Sequence, residues 1–188
     1  MYESENFYVK TASVGAFSPG HVLVLPKFHI RCYGELPNEH ELEYFEIMGK
    51  TKEKIKNSFS TPIASELGVY GQSIPHAHTH LFPSSYDNYS LTLESMLKYV
   101  PDEIPITNEG SIEDIKRIFS NEGEYVSLDY DKLMVMHPKN YNGRCINLRH
   151  LFVQATGLKE LAKWQEMPVE FERRNDQWVT ETIEALKE

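Results

Sequence analysis

Between Gly71 and Pro83 the chain reads Gly-Gln-Ser-Ile-Pro-His-Ala-His-Thr-His-Leu-Phe-Pro, with histidine at positions 76, 78 and 80. Two-residue spacing is the period of an extended strand. Successive side chains leave opposite faces, so His76, His78 and His80 are expected on one face, about 6.6 Å apart along the chain. Three imidazoles make a poor core, because each needs hydrogen-bond partners and together they offer few apolar atoms. The alignment therefore points to function. The strand that carries it is expected from about Ile74, with Leu81, Phe82 and Pro83 closing the run as at a strand end leaving a sheet edge.

The segments around this run define the rest of an antiparallel α+β domain of about five strands with a covering helix. Asn6 to Ser13 reads as a first strand. Ser18-Pro19-Gly20 is a turn, and His21-Val-Leu-Val-Leu-Pro26 follows as a second strand whose apolar run belongs inside a sheet. Asn38 with Glu41 has capping-box spacing for a helix to about Phe59, with Leu42, Phe45, Met48, Ile55 and Phe59 inward. Pro62 to Tyr70 reads as a strand and turn.

The character changes near residue 90, which divides the chain into an expected catalytic domain, 1–90, and an extension, 91–188, packed on it or at a dimer interface. In the extension, Leu91 to Val100 reads as a short helix stopped by Pro101. Ser111 and Asp114 cap another that Gly123 ends. Glu124–Tyr130 and Lys132–Met136 suit a hairpin. Asn147 caps a helix that Gly157 stops, and Asp176–Glu188 reads as a terminal helix.

Composition narrows the function classes. A net charge of −9 over 188 residues does not attract nucleic acid, so a phosphorylated ligand needs local cations and amide donors. Cys32 and Cys145 are too few for a disulfide framework and suit a reducing compartment. No apolar run has membrane-spanning length, and the acidic start Met1–Glu5 is unlike a signal peptide. A cytoplasmic protein without membrane or nucleic-acid partners is expected.

Two chemistries suit three histidines on a strand face. They can ligate a metal such as zinc, or one can attack phosphorus while its neighbours orient it and bind phosphoryl oxygens. Gly71, Gln72 and Ser73 supply a backbone able to approach an anion, plus a hydroxyl donor. His21, after Pro19-Gly20, suits a second flank of the same pocket. A metal site usually draws on carboxylates or thiolates, and Glu66 is the nearest candidate. Nucleophilic catalysis without a required cofactor or metal is therefore preferred.

Pro19-Gly20-His21-Val-Leu-Val-Leu-Pro26-Lys27, followed by Gly71-Gln-Ser-Ile-Pro-His-Ala-His-Thr-His-Leu-Phe-Pro83, resembles the histidine-triad (HIT) family over about the first 85 residues. The resemblance implies a nucleotidyl hydrolase or transferase, usually a homodimer on an antiparallel α+β sheet. By resemblance, His78 is the nucleophile that attacks an α-phosphorus, and His76 steadies its ring through its carbonyl. His80 lies against the phosphate and aids the leaving group, and His21 is the fourth histidine. Gly71, Gln72 and Ser73 bind phosphoryl oxygens, and Ser13 with Val14 meets the nucleoside.

Thr79 stands where the family prefers an apolar residue, and Ser13 where it often has Asp or Asn. Transferase branches carry glutamine at the third triad position, so His80 implies hydrolysis of a nucleotide or dinucleoside polyphosphate. Arg144 and Arg149 are candidates for a polyphosphate tail, and Trp164 and Trp178 for core anchors. The alternatives are a metal-dependent hydrolase that uses the three histidines as ligands, and a non-catalytic nucleotide-binding or scaffold protein.

Overall fold

The computed structural model of the protein describes residues 1–87, 89–138, 146–162 and 169–187. Arg144, Cys145 and Trp164 lie outside the described residues.

The chain forms strands β1 (Phe7–Thr11) and β2 (Val22–Pro26), helix α1 (Glu41–Ser58), then β3 (Pro62–Glu66) and β4 (Thr79–Pro83). A small two-stranded pair comes next, β5 (Ser85–Tyr86) and β6 (Tyr89–Ser90). The rest is α2 (Leu93–Leu97), β7 (Ile106–Asn108), α3 (Ile112–Glu122), β8 (Val126–Asp129), β9 (Leu133–Met136), α4 (Leu148–Thr156) and α5 (Val169–Ala185).

Seven strands make one antiparallel sheet in the order β1-β2-β4-β3-β8-β9-β7. The α+β class expected from the sequence is found, with seven strands rather than about five. The sheet crosses residue 90 without a break, because β8 pairs with β3 in the register Ala64↔Asp129, Ser65↔Leu128 and Glu66↔Ser127.

The two-residue period of the strands divides the core. Val22, Val24, Ala64, Leu81, Tyr125 and Val135 face one cluster, with Tyr44, Ile47, Met48 and Ile55 of α1 and Ile112, Ile115, Ile118 and Phe119 of α3. Ile63, Phe82, Val126, Leu128, Met134 and Met136 face the other, with Met96 of α2 and Leu148, Leu151 and Phe152 of α4. The sheet is thus a middle layer with helices on both faces. Each fully buried aliphatic or aromatic side chain contributes about 2 kcal/mol to that arrangement.

The structure shifts several expected boundaries. The histidine strand begins at Thr79 rather than near Ile74. Pro75 has no N–H for a ladder, and the His76 N–H turns back to the Ile74 carbonyl at 2.8 Å. Only His80 of the three histidines lies in the strand proper. The capping box at Asn38 and Glu41 is absent: α1 starts after a short 3-10 turn, Asn38–His40, and Asn38 Oδ1 takes Lys116 Nζ at 2.7 Å instead. Of the residues expected inward, Met48 and Ile55 are buried with Tyr44, Ile47 and Thr51, whereas Leu42 is 72% and Phe45 49% exposed. The terminal helix begins at Val169, earlier than Asp176.

The caps at Ser111 and Asn147 form as expected, with Gly123 and Gly157 left-handed at the helix ends. Gly20 also takes a positive φ of 79°, and a side chain there would meet Phe59 and Pro83 at 2.8 Å. No helix of the described residues is long and apolar enough to cross a membrane.

Candidate active site

The site forms where β2 and β4 run side by side. Leu23 lies opposite His80 and Val22 opposite Leu81. Side chains alternate, so His21 shares the sheet face of Leu23 and His80. His21 Nε2 stands 3.0 Å from His80 Nδ1, with ring centroids 5.3 Å apart. The rings of His80 and His78 meet edge to face at 5.1 Å. Three of the four predicted histidines therefore form one line of ring contacts, His21 to His80 to His78.

His76 joins them differently. Its backbone carbonyl accepts the Nδ1–H of His78 at 2.7 Å, while its own ring lies against His29 at 5.5 Å. His76 Nε2 donates to the Pro26 carbonyl at 3.0 Å, and its Nδ1 meets His29 Nδ1 at 3.2 Å. His29 is a partner that sequence reasoning missed. Its only signal was its position just beyond the end of the second strand.

These bonds decide where the ring protons sit. A carbonyl only accepts, so His78 carries its proton on Nδ1 and presents a lone pair at Nε2. The Phe17 N–H donates to His21 Nδ1 at 3.1 Å, which leaves the His21 proton on Nε2. That proton is donated to His80 Nδ1, so His80 carries its own on Nε2. A lone pair on His78 and an N–H on His80 therefore stand on neighbouring rings.

Burial keeps the cluster neutral. It lowers His21 to about 3, with the Arg149 charge adding to the effect. It lowers His80 well below the ordinary histidine value, helped by His21, His78 and Arg149. It lowers His78 as well, against the His76 carbonyl, which favours the charged ring. Desolvation thus outweighs the stabilising hydrogen bond at His78 and acts in the same direction as the mutual repulsion of the imidazoles.

The remaining predicted residues are placed as follows. Gly71 has a positive φ of 68°, and a side chain there would sit 4.0 Å from Asn147 at the start of α4. Gln72 Nε2 is held by the Arg31 carbonyl at 3.0 Å, and Ser73 is exposed. Ser13 and Val14 are exposed, Val14 by 65%, and the Ser13 carbonyl accepts from Asn175 Nδ2 at 2.8 Å. Thr79 is buried and pairs with the Tyr44 hydroxyl at 3.2 Å rather than with a carbonyl.

Glu66, the carboxylate nearest in sequence, lies on the other sheet face, because its neighbour Ser65 is the residue opposite His80. It accepts from the Tyr33 N–H at 2.8 Å and from the Tyr125 hydroxyl. Both ring nitrogens of His76 are engaged by protein groups, so a metal held by the triad would have to break one of those bonds. Trp178 packs, partly buried, against the second core cluster and under Arg174, whose Cζ is 4.8 Å from the ring.

The extension reaches this site. Arg149 of α4 donates to the Leu161 carbonyl at 3.0 Å and to the Gly15 carbonyl, and its Cζ lies 4.7 Å from the centre of the Phe17 ring. Phe17 in turn stacks on His21 at 4.6 Å and on Phe152 at 4.3 Å.

Residues 1–86 match the family model of the HIT domain. Ninety-nine residues are 31% identical to a bis(5'-nucleosyl)-tetraphosphatase (asymmetrical) of Schizosaccharomyces pombe, covering 50% of each chain. Eighty-seven residues are 30% identical to the Protein hit of Bacillus subtilis, covering 44% of this chain and 59% of that protein. The chain thus spans about half the length of the curated relatives it matches. Among solved structures, a Hit-like protein from Bartonella henselae involved in cell-cycle regulation is 22% identical, with a TM-score of 0.41, over 44% of this chain and 66% of that one. The matched segment, residues 1–86, contains His21, His29, His76, His78 and His80, whereas Arg149 and Asn175 lie outside it.

Proposed function

We propose that the protein is a nucleotide hydrolase that cleaves a nucleoside 5'-phosphoryl bond through a nucleotidyl intermediate on His78. A dinucleoside polyphosphate or a related nucleotide conjugate is the proposed substrate. The observation that carries this function is the arrangement of adjoining rings, in which His78 has Nδ1 committed and keeps a lone pair at Nε2 while His80 accepts at Nδ1 and keeps its proton on Nε2.

In the first step His78 Nε2 attacks the α-phosphorus, an N–P bond forms and the bond to the leaving oxygen breaks. The ring becomes cationic, and its Nδ1–H bond to the His76 carbonyl strengthens as the charge develops. His80 Nε2–H faces the phosphoryl and leaving oxygens and offers them a hydrogen bond. In the second step a water oxygen bonds to phosphorus, the N–P electron pair returns to Nε2, and the proton lost by that water passes to bulk solvent.

Similarity to a HIT domain and to a tetraphosphatase supports a nucleotide-directed function at family level. Gly71, Gln72 and Ser73 are proposed to meet phosphoryl oxygens, and Ser13 and Val14 the nucleoside, with no cofactor or metal required. A cytoplasmic homodimer completes the proposal. Sedimentation at micromolar concentration is expected to give twice the chain mass, and a monomer there removes that part.

The function is tested by incubating the protein with a panel of α-labelled nucleotides and dinucleotides and following intact mass. The expected result is an adduct on His78 in the wild type and none in His78→Ala. Turnover of that variant should fall on the order of 10⁴-fold or more, as when other enzymes lose their nucleophile. Turnover at the wild-type rate in a folded His78→Ala would remove the nucleophile. Loss of activity on exhaustive chelation, with stoichiometric zinc, would favour the metal-dependent alternative.

A further inference from the structure

We propose that Arg149 and Asn175 are positioning residues of the histidine site: they hold the backbone of residues 13–17 so that the Phe17 N–H is aimed at His21, and through His21 they fix the tautomer of His80. Neither residue lies in the segment matched by the HIT model, so the extension completes the site by setting where its protons sit.

The loop between β1 and β2 has few main-chain partners of its own, and buried peptide groups must be satisfied somewhere. The extension supplies the partners. Asn175, a buried carboxamide on α5, uses both ends: Oδ1 accepts the Ala16 N–H at 3.0 Å, and Nδ2 donates to the Ser13 carbonyl at 2.8 Å. Arg149 donates to the Gly15 carbonyl between them while a second nitrogen holds the Leu161 carbonyl. Thr182, also buried, accepts the Gly20 N–H at 2.8 Å at the far end of the loop. The next N–H after the one gripped by Asn175 is that of Phe17, and it donates to His21 Nδ1.

The consequence is a relay of proton positions. A neutral imidazole has one donor and one acceptor nitrogen. If Phe17 N–H occupies His21 Nδ1, His21 must donate from Nε2, His80 must accept at Nδ1, and the His80 proton must stand on Nε2. Releasing the loop frees His21 Nδ1 to take the proton, and the His80 ring then loses the donor that fixes it. The Phe17 ring, packed between His21 and Phe152 with the Arg149 guanidinium 4.7 Å away, ties the orientation of the loop to the same residues.

Simple packing would predict lower stability on mutation but no change in proton positions. Long-range proton–nitrogen correlation spectra of the ¹⁵N-labelled full chain at neutral pH separate the two cases, with His21→Gln and His80→Gln used for assignment. In the wild type, His21 and His80 are expected as single tautomers protonated at Nε2. In Asn175→Ala and Arg149→Met, both are expected as mixtures of the two tautomers, with Arg149→Lys between these and the wild type. A wild-type His21 protonated at Nδ1, or folded variants that keep the wild-type tautomers, would overturn the proposal. If Asn175→Ala does not fold, Asn175→Asp, which keeps the Ala16 acceptor and loses the Ser13 donor, takes its place with the same criterion.

The catalytic effect rests on the hydrolase function proposed above. Loss of the positioning contacts is expected to lower kcat on the order of tenfold with KM little changed, the scale of one net hydrogen bond. The spectra need no substrate. Absence of a His78 adduct would therefore end the hydrolase proposal and leave the tautomers to decide this one.

Discussion

At the scale of single residues, the site is governed by which nitrogen of each ring is already taken. His78 has its Nδ1 committed to the His76 carbonyl and burial holding its pKa below the ordinary 6.5. The lone pair proposed to attack is lost only when the ring is protonated. The acid limb of kcat/KM is accordingly expected below the ordinary histidine range, with activity flat through pH 7 and falling as pH drops. A pH–rate profile with its acid limb at or above 6.5 would contradict a desolvated nucleophile.

Glu66, on the opposite face, behaves in the reverse sense. Burial raises it from 4.5 to about 7, against the lowering from the Tyr125 hydroxyl and the Tyr33 N–H. The folded state then binds more protons than the unfolded chain between those values. Its contribution to stability is complete below about 4.5 and is lost as pH rises through 7. Glu66→Gln is expected to raise stability by on the order of 1–3 kcal/mol at about pH 8.5, and to be near neutral or slightly destabilising at about pH 5. Urea unfolding at the two pH values measures both, and equal effects at both would refute the raised pKa.

At the scale of elements, the sequence disclosed most where a local rule had no competitor. Ser111 with Asp114, Asn147, Gly123 and Gly157 sit at helix ends whose chemistry is complete within a few residues, and all of them behave as read. The pairing of His21 with the triad was also legible, from the turn before it and from the resemblance that makes it the fourth histidine. Tertiary partners decided the rest. Asn38 holds Lys116 instead of capping α1, and Leu42 faces outward. The histidine segment reads as strand by its period, but its first half pairs with no strand ladder. Ala77 N–H instead bonds the Ile30 carbonyl at 2.8 Å. Asn175 and Thr182 are ordinary letters in a polar helix, and only the fold shows them reaching the loop before His21. The short strand β7 was also invisible, because three partly or wholly exposed residues carry too little pattern to distinguish them from a loop.

At the scale of the whole molecule, the first half of the chain and the extension share a sheet. The inner edge of β3 is covered by β8, and Tyr125, fully buried beside β8, donates to Glu66 and fills the space above Gly68. A side chain at Gly68 would stand 2.1 Å from that ring. A chain cut after residue 90 would expose an unpaired strand edge and leave Glu66 without one partner. It is expected to lose cooperative unfolding, as read by calorimetry or by hydrogen exchange across β3 and β4. A truncated chain that unfolds as sharply as the full one would show that the first half is autonomous.

The hold on the loop before His21 falls on carbonyl and amide groups of residues 13, 15, 16 and 20, not on their side chains. Ser13 and Val14 can therefore be rewritten while the loop keeps its course. Changes at those two outward positions are thus uncoupled from the proton arrangement of the rings behind them.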